Sequence, residues 1–159
     1  MIVFENSLFK IETKKTSYII GLEDNILFHL YWGKKISGDV NLIDFILCNY
    51  EAKQSAKDFT LDEIETSTEA LPMEYPTFGS ADLRTPALHC KYADGSSVTK
   101  LYYKGYEIVK GKPKLQGLPA TYVENDNEAE TLIITLYDDV KRLKVELCYS
   151  VFYDFDAIT

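Results

Sequence analysis

Apolar and polar residues alternate with a period of two along most of the chain, and this period predicts half-buried β-strands. It is clearest near the end. There Leu143, Val145, Leu147, Tyr149, Val151 and Tyr153 share one face, and Lys144, Glu146, Cys148, Ser150, Phe152 and Asp154 share the other. Just upstream, Leu132, Ile134 and Leu136 alternate with Thr131, Ile133, Thr135 and Tyr137. The polar link Asp138-Asp139-Val140-Lys141 is short, so the two runs are predicted to form an antiparallel hairpin. Earlier strands are predicted at Leu8–Glu12, Ser17–Leu22 and Ile26–Trp32, with a turn at Glu23-Asp24-Asn25. Asp94-Gly95 signals a second hairpin, between Leu88–Tyr92 and Val98–Val109, because glycine supplies the positive φ of a two-residue turn. The exception is Val40–Tyr50. Its Leu42, Ile43, Phe45, Ile46 and Leu47 suit one face of a short helix and equally an ordered loop.

Composition narrows the class. A length of 159 residues fits one domain, and 46% hydrophobic with 26% charged residues is ordinary for a globular protein. The 20 tyrosines and phenylalanines reinforce the strand reading. The net charge of −8 opposes binding to nucleic acid or to an anionic membrane surface, so neither partner is expected. No apolar run reaches the roughly 18 residues of a membrane span. The first residues lack the basic start of a signal peptide, so a cytoplasmic location is expected. Cys48, Cys90 and Cys148 are odd in number and widely spaced. They predict neither a disulfide framework nor a zinc site, and Cys90 and Cys148 are read as buried thiols.

Little chemistry is written in motifs. No glycine-rich phosphate loop, HExxH or GxSxG pattern is present. His29 and His89 fall in strand patterns and read as packed side chains. The run Glu124–Glu128 lacks the glycine and the terminal bidentate glutamate of a calcium loop and reads as a solvated turn. Asp138-Asp139 could mimic a glycosidase carboxylate pair, but adjacent turn residues are expected to point apart into water. Tyr31, Trp32, Tyr102, Tyr103, Tyr106 and Tyr122 offer flat faces for sugar rings, although aromatic strand residues more often serve a core or an interface. No cofactor and no metal is expected.

Three segments are more specific: SYIIGLEDNILFHLYWGKKI at Ser17–Ile36, MEYPTFGSADLRTPAL at Met73–Leu88, and YEIVKGKPKLQGLPATYVENDNEAETLIITL at Tyr106–Leu136. Together they resemble the amino-terminal region of bacterial α-galactosidases of glycoside hydrolase family 36. The family's GSGDFR stands here as GSADLR, with Ala81 in place of the glycine. The resemblance implies an all-β fold, an antiparallel sandwich of the galactose-mutarotase-like supersandwich type, preceding a catalytic (β/α)8 barrel. The barrel's Lys-Trp-Asp nucleophile motif is not in this chain, whose sole tryptophan is Trp32. The chain, residues 1–159, is thus expected to be an incomplete N-terminal domain. The strong strand at 142–155, followed at once by Ala157-Ile158-Thr159, fits that expectation.

The parent would hydrolyse terminal α-galactosides with retention, and the isolated chain is expected to be inactive, with no catalytic residue. The implied partners are α-galactoside sugars, the protein's own barrel and further copies in a homo-oligomer, a tetramer in the parent. Asp44, Asp82, Arg84 and Trp32 are the candidates for the substrate rim. Asp44 lies nearest the family's acidic loop residue, and Asp82 and Arg84 also suit an internal ion pair. The alternative readings are a free-standing carbohydrate-binding module and an oligomerisation module.

Overall fold

The computed structural model describes residues 1–47, 59–61, 64–66, 72–80, 84–114, 117 and 121–159. Four antiparallel strands form the first sheet in chain order: β1 (Ile2–Glu5), β2 (Leu8–Glu12), β3 (Thr16–Glu23) and β4 (Ile26–Lys34). Two of its turns are two-residue turns with positive φ at both positions, Asn6-Ser7 (49° and 59°) and Asp24-Asn25 (47° and 62°). These turns match the right-handed twist of the strands they join, and Asn and Asp tolerate that conformation best after glycine. Between β2 and β3 the chain turns on Thr13, whose hydroxyl oxygen accepts the backbone N–H groups of Lys15 (3.2 Å) and Thr16 (2.8 Å).

A bulge in β4 decides which face its last residues occupy. Ile20 pairs with His29 but Ile19 pairs with Tyr31, which leaves Leu30 as the extra residue. Tyr31 therefore shares the outer face with Ile19, and Trp32 stands opposite Tyr18 on the inner face. Without the bulge, these positions would exchange faces.

Beyond the helix α1 (Leu42–Leu47), β5 (Phe59–Leu61) and β6 (Ile64–Thr66) pair antiparallel. The last sheet contains β7 (Tyr102–Lys110), β8 (Ala129–Asp138) and β9 (Leu143–Phe152) in that order, all antiparallel. One core lies between the two larger sheets. Phe9, Ile11, Ile20 and Leu27 of the first meet Leu132, Ile134, Leu136, Leu147 and Val151 of the last. Ile2 joins this core, and its N–H donates to Glu130 Oε1 on β8 at 2.7 Å. The outer face of the first sheet is covered too, by α1, whose Leu42 packs on Leu8, Ile19 and Phe28. Gly21 permits that approach, since a Cβ there would stand 2.5 Å from Leu42 Cδ1.

The Glu23–Asn25 turn and the final hairpin follow the sequence pattern, and the all-β sandwich is the fold that the family resemblance implies. Other points are corrected. The Asp94-Gly95 turn forms, with Gly95 at φ +83° and Tyr92 N–H donating to Ser96 C=O at 2.9 Å. However, 88–92 makes no strand with β7, and Leu88 instead bridges Thr77. Cys148 is exposed and Cys90 half-buried, because Cys148 falls on the polar face with Lys144 and Glu146; Cys48 lies outside the described residues. Asp138 does not point into water. It is 3% exposed and accepts three backbone N–H groups, from Lys100 (2.7 Å), Lys141 (2.8 Å) and Val140 (2.9 Å). Asp139 is exposed and pairs with Lys104 at 3.0 Å.

Candidate functional site

Residues 72–74 run antiparallel along the outer edge of β4. His29 N–H donates to Pro72 C=O at 2.8 Å, Phe28 bridges Met73, and Glu74 N–H donates to Leu27 C=O at 2.9 Å. This pairing delivers the Glu74 side chain, only 4% exposed, to the space between the sheets. A carboxylate buried so fully must be compensated by hydrogen bonds or charge. Tyr18 of β3 and Tyr149 of β9 each donate their hydroxyl to Glu74 Oε1 at 2.6 Å. His29 Nδ1 stands 3.2 Å from Glu74 Oε2 and 3.2 Å from the Tyr18 hydroxyl. Burial, followed by the charge and hydrogen bond of Glu74, holds both phenols well above the ordinary tyrosine range. They act as fixed proton donors, and both carboxylate oxygens are engaged. The cluster ties the two sheets together and orients the rings of Tyr18 and Tyr149.

Beside it the sandwich opens into a cleft of about 440 Å³. Thr13, Thr16, Tyr18 and Trp32 line it from the first sheet, Tyr149 from the last, and Asp156 to Thr159 from the chain end. Trp32 is 72% exposed. Asp156 Oδ1 accepts the hydroxyl of Thr16 at 2.9 Å and that of Thr13 as well, and these two bonds hold its carboxyl below the usual range. Residues 158 and 159 are anchored on β9 through the Val151–Ile158 bridge and reciprocal Ser150–Thr159 backbone bonds of 2.8 and 2.9 Å. Among the described residues, no group of three or more His, Cys, Asp or Glu could hold a metal ion.

Residues 25–159 match the family model described as "Glycosyl hydrolase family 36 N-terminal domain". The chain belongs to that family. It is 36% identical to α-galactosidase Mel36A of Lactobacillus acidophilus over 155 residues, and 38% identical to α-galactosidase AgaA of Geobacillus stearothermophilus over 154. These matches cover 97% and 95% of this chain but 21% and 20% of the relatives, so it spans about a fifth of their length. The crystal structure of the family 36 α-galactosidase AgaB from G. stearothermophilus superposes with a TM-score of 0.83 at 38% identity, over 99% of this chain and 21% of that one. The galactosidase domain of the α-galactosidase–sucrose kinase AgaSK gives 0.81 at 34%, over 96% and 21%.

Within this family 36 domain, the four residues singled out from the sequence fall in different places. Trp32 lines the cleft. Asp44 is exposed at the start of α1, where its Oδ2 accepts Asn41 N–H at 3.0 Å and its own N–H donates to Asn41 C=O at 3.1 Å. Arg84 is exposed in the loop leading to Leu88, and Asp82 lies outside the described residues. Of the aromatic candidates, Tyr31 packs toward Phe45 on the outer face, with ring centroids 6.3 Å apart, and Tyr103 and Tyr106 pack on Phe9. Tyr102 is partly exposed, and Tyr122 is 75% exposed. His29 is a hydrogen-bonded strand residue, and His89 stacks on Phe78 at 4.3 Å. At 124–128 a short 3-10 turn forms, in which Glu128 accepts the N–H of Asn125 at 2.9 Å.

Sequence reading missed Glu74, Tyr18 and Tyr149. The two tyrosines sit in apolar strand registers and read as core. Glu74 sits in an aperiodic Met-Glu-Tyr-Pro stretch that carries no burial signal.

Proposed function

We propose that this chain is the non-catalytic N-terminal β-sandwich part of an α-galactosidase that hydrolyses terminal α-galactosides with retention. The observation that carries the reading is the family match over residues 25–159 combined with coverage of about a fifth of each relative. Such a piece carries no barrel and therefore no nucleophile or acid/base carboxylate of the family. Its contribution is assembly into a homo-oligomer, a tetramer in the parent, and the shape of the active-site rim, with docking against its own barrel. Asp44, Arg84 and Trp32 support the rim role by their exposure, and Asp82 is proposed with them from the GSADLR match. AgaA variants of G. stearothermophilus have been crystallised with raffinose and with stachyose, and sugars of that class are the proposed substrates of the parent. The cytoplasm is the proposed location. Among the described residues no helix is long and apolar enough to cross a membrane.

The test is the mass of the native protein in its source cells, detected with an antibody raised to this chain, alongside hydrolysis of an aryl α-galactoside. A species several times heavier than 18.2 kDa that hydrolyses the substrate, with no turnover by the 159-residue chain, is the expected result. A native species of 18.2 kDa, or hydrolysis by the pure chain, would overturn the proposal.

A further inference from the structure

We propose that residues 72–74 guard the edge of β4 with Glu74 as the latch, and that β4 recruits the β4 strand of a second copy of this chain once the latch is released. β4 stands last in its sheet, and an edge strand offers its outward N–H and C=O groups to any further strand. Its residues 26–32 read Ile-Leu-Phe-His-Leu-Tyr-Trp, with no proline, glycine, carboxylate, lysine or arginine. A seven-residue run of strand-formers without charge is the composition of self-pairing β segments. Two copies laid antiparallel place no like charges opposite each other, so nothing in the side chains repels the pairing. The fold blunts this edge in three ways. Residues 72–74 cover Leu27 to His29 through one bridge and two backbone bonds of 2.8 and 2.9 Å. The bulge at Leu30 bends the strand just beyond them, and Lys34 and Lys35 follow at its end.

The guard is short, because Pro72 and Pro76 bound it and a residue without an N–H cannot extend a ladder. Two backbone bonds hold such a segment only marginally. Side chains supply the remaining hold. Tyr75 packs on the core between the sheets. Glu74, 4% exposed, takes the hydroxyls of Tyr18 and Tyr149 at 2.6 Å, and His29 Nδ1 stands 3.2 Å from its other oxygen. His29 is thus tied to the guard twice, by its N–H to Pro72 C=O and by its ring to Glu74. Removing the carboxylate leaves two phenols without their acceptor and the guard held on β4 by its backbone bonds and Tyr75. Lifting the guard bares the N–H of His29 and the C=O of Leu27, the first groups that an added strand would take.

The test compares the native-length protein with its Glu74→Ala variant, and uses Leu147→Ala as a control that weakens the same core from β9. Hydrogen exchange is read at β4 and β8, and mass by sedimentation velocity. In dilute solution, exchange at β4 should rise about tenfold or more in Glu74→Ala, with β8 unchanged. Between about 10 and 200 μM the variant should form species heavier than the unaltered protein's own, and protection at β4 should return in them. Leu147→Ala should speed exchange in β8 and keep the unaltered mass. If Glu74→Ala does not fold, Tyr149→Phe, which removes one bond to the latch, takes its place with a smaller rise at β4. Unchanged β4 exchange in the folded variant would show that Glu74 is no latch. Faster exchange without heavier species, or heavier species with β4 still unprotected, would show that β4 recruits no second copy. Equal association of Leu147→Ala would trace the effect to lost stability alone. Each of these results overturns the proposal. Sugar hydrolysis enters none of the readings, so the α-galactosidase reading stands or falls separately.

Discussion

Tyr18 and Tyr149, from opposite sheets and 131 positions apart in sequence, donate to the same oxygen of Glu74, each at 2.6 Å. The core of a sandwich is largely non-directional, because apolar contacts tolerate sliding and repacking. A shared carboxylate does not tolerate this, since leaving it short of donors exposes the full cost of burying its charge.

Tyr149→Phe removes one bond to a charged acceptor and should cost about 1.5–3 kcal/mol in urea unfolding. Tyr18→Phe should behave alike. Among the described residues, the double variant leaves His29 as the remaining side-chain partner of Glu74, so its cost should exceed the sum of the two by at least about 0.5 kcal/mol. A strictly additive cycle would show that the two hydroxyls do not share one acceptor.

Alkaline titration gives an independent check. Both phenols keep their protons in the folded state well above the ordinary tyrosine range, whereas in the unfolded chain they ionise near pH 10. Above that pH the unfolded state binds fewer protons than the folded one, so stability present below pH 10 is lost as pH rises. The limiting slope is about 1.4 kcal/mol per pH unit for each tyrosine. Denaturation midpoints between pH 9 and 11 should fall steeply in the parent chain and more gently in Tyr18→Phe and Tyr149→Phe.

Asp138 makes the opposite prediction. Burial alone would raise its pKa, but the backbone N–H groups of Lys141, Lys100 and Val140 outweigh it and the net direction is downward. Its contribution is therefore present above the ordinary aspartate pKa of about 4 and is lost as pH falls through the depressed value. Asp138→Ala should cost about 2–4 kcal/mol at pH 7 and progressively less below pH 4, measured by urea midpoints across that range.

Gly21→Val tests the seat of α1. Its Cβ would lie 2.5 Å from Leu42 Cδ1 and 2.8 Å from Leu30 Cδ1. The expected loss is about 1–3 kcal/mol, with faster amide exchange in α1 than in β8. Equal exchange changes in both elements would show that the helix is not seated by this glycine.

The sequence made the strands legible wherever one face alone meets the core, as in buried Leu132, Ile134 and Leu136 against half-buried Ile133, Thr135 and Tyr137. It did not show β1, whose four residues are too few to establish a period before the Asn6-Ser7 turn. Leu88–Tyr92 has the look of a strand, but its side chains serve loop packing without a ladder, Leu88 against the core and the His89 ring against Phe78. At Cys148 register outweighs residue type, because the strand's alternation puts the thiol on the face opposite Leu147. Of the candidate site, Trp32 was legible as an aromatic. Its inward face depends on the extra residue Leu30, which periodicity does not reveal, and Glu74 is defined by partners remote in sequence.

The stitching of the first hairpins to the last strands also sets an order of events at the ribosome. Phe9, Ile11 and Ile20 leave the exit tunnel long before their partners on β8 and β9, which emerge roughly a hundred residues later. At about 5–20 residues per second, the nascent first sheet waits roughly 5–20 s with its inner face uncovered. During that interval the same apolar surface that later forms the core is open to chaperones and to neighbouring nascent chains. Synonymous codon changes between β4 and β8 should therefore alter its soluble yield.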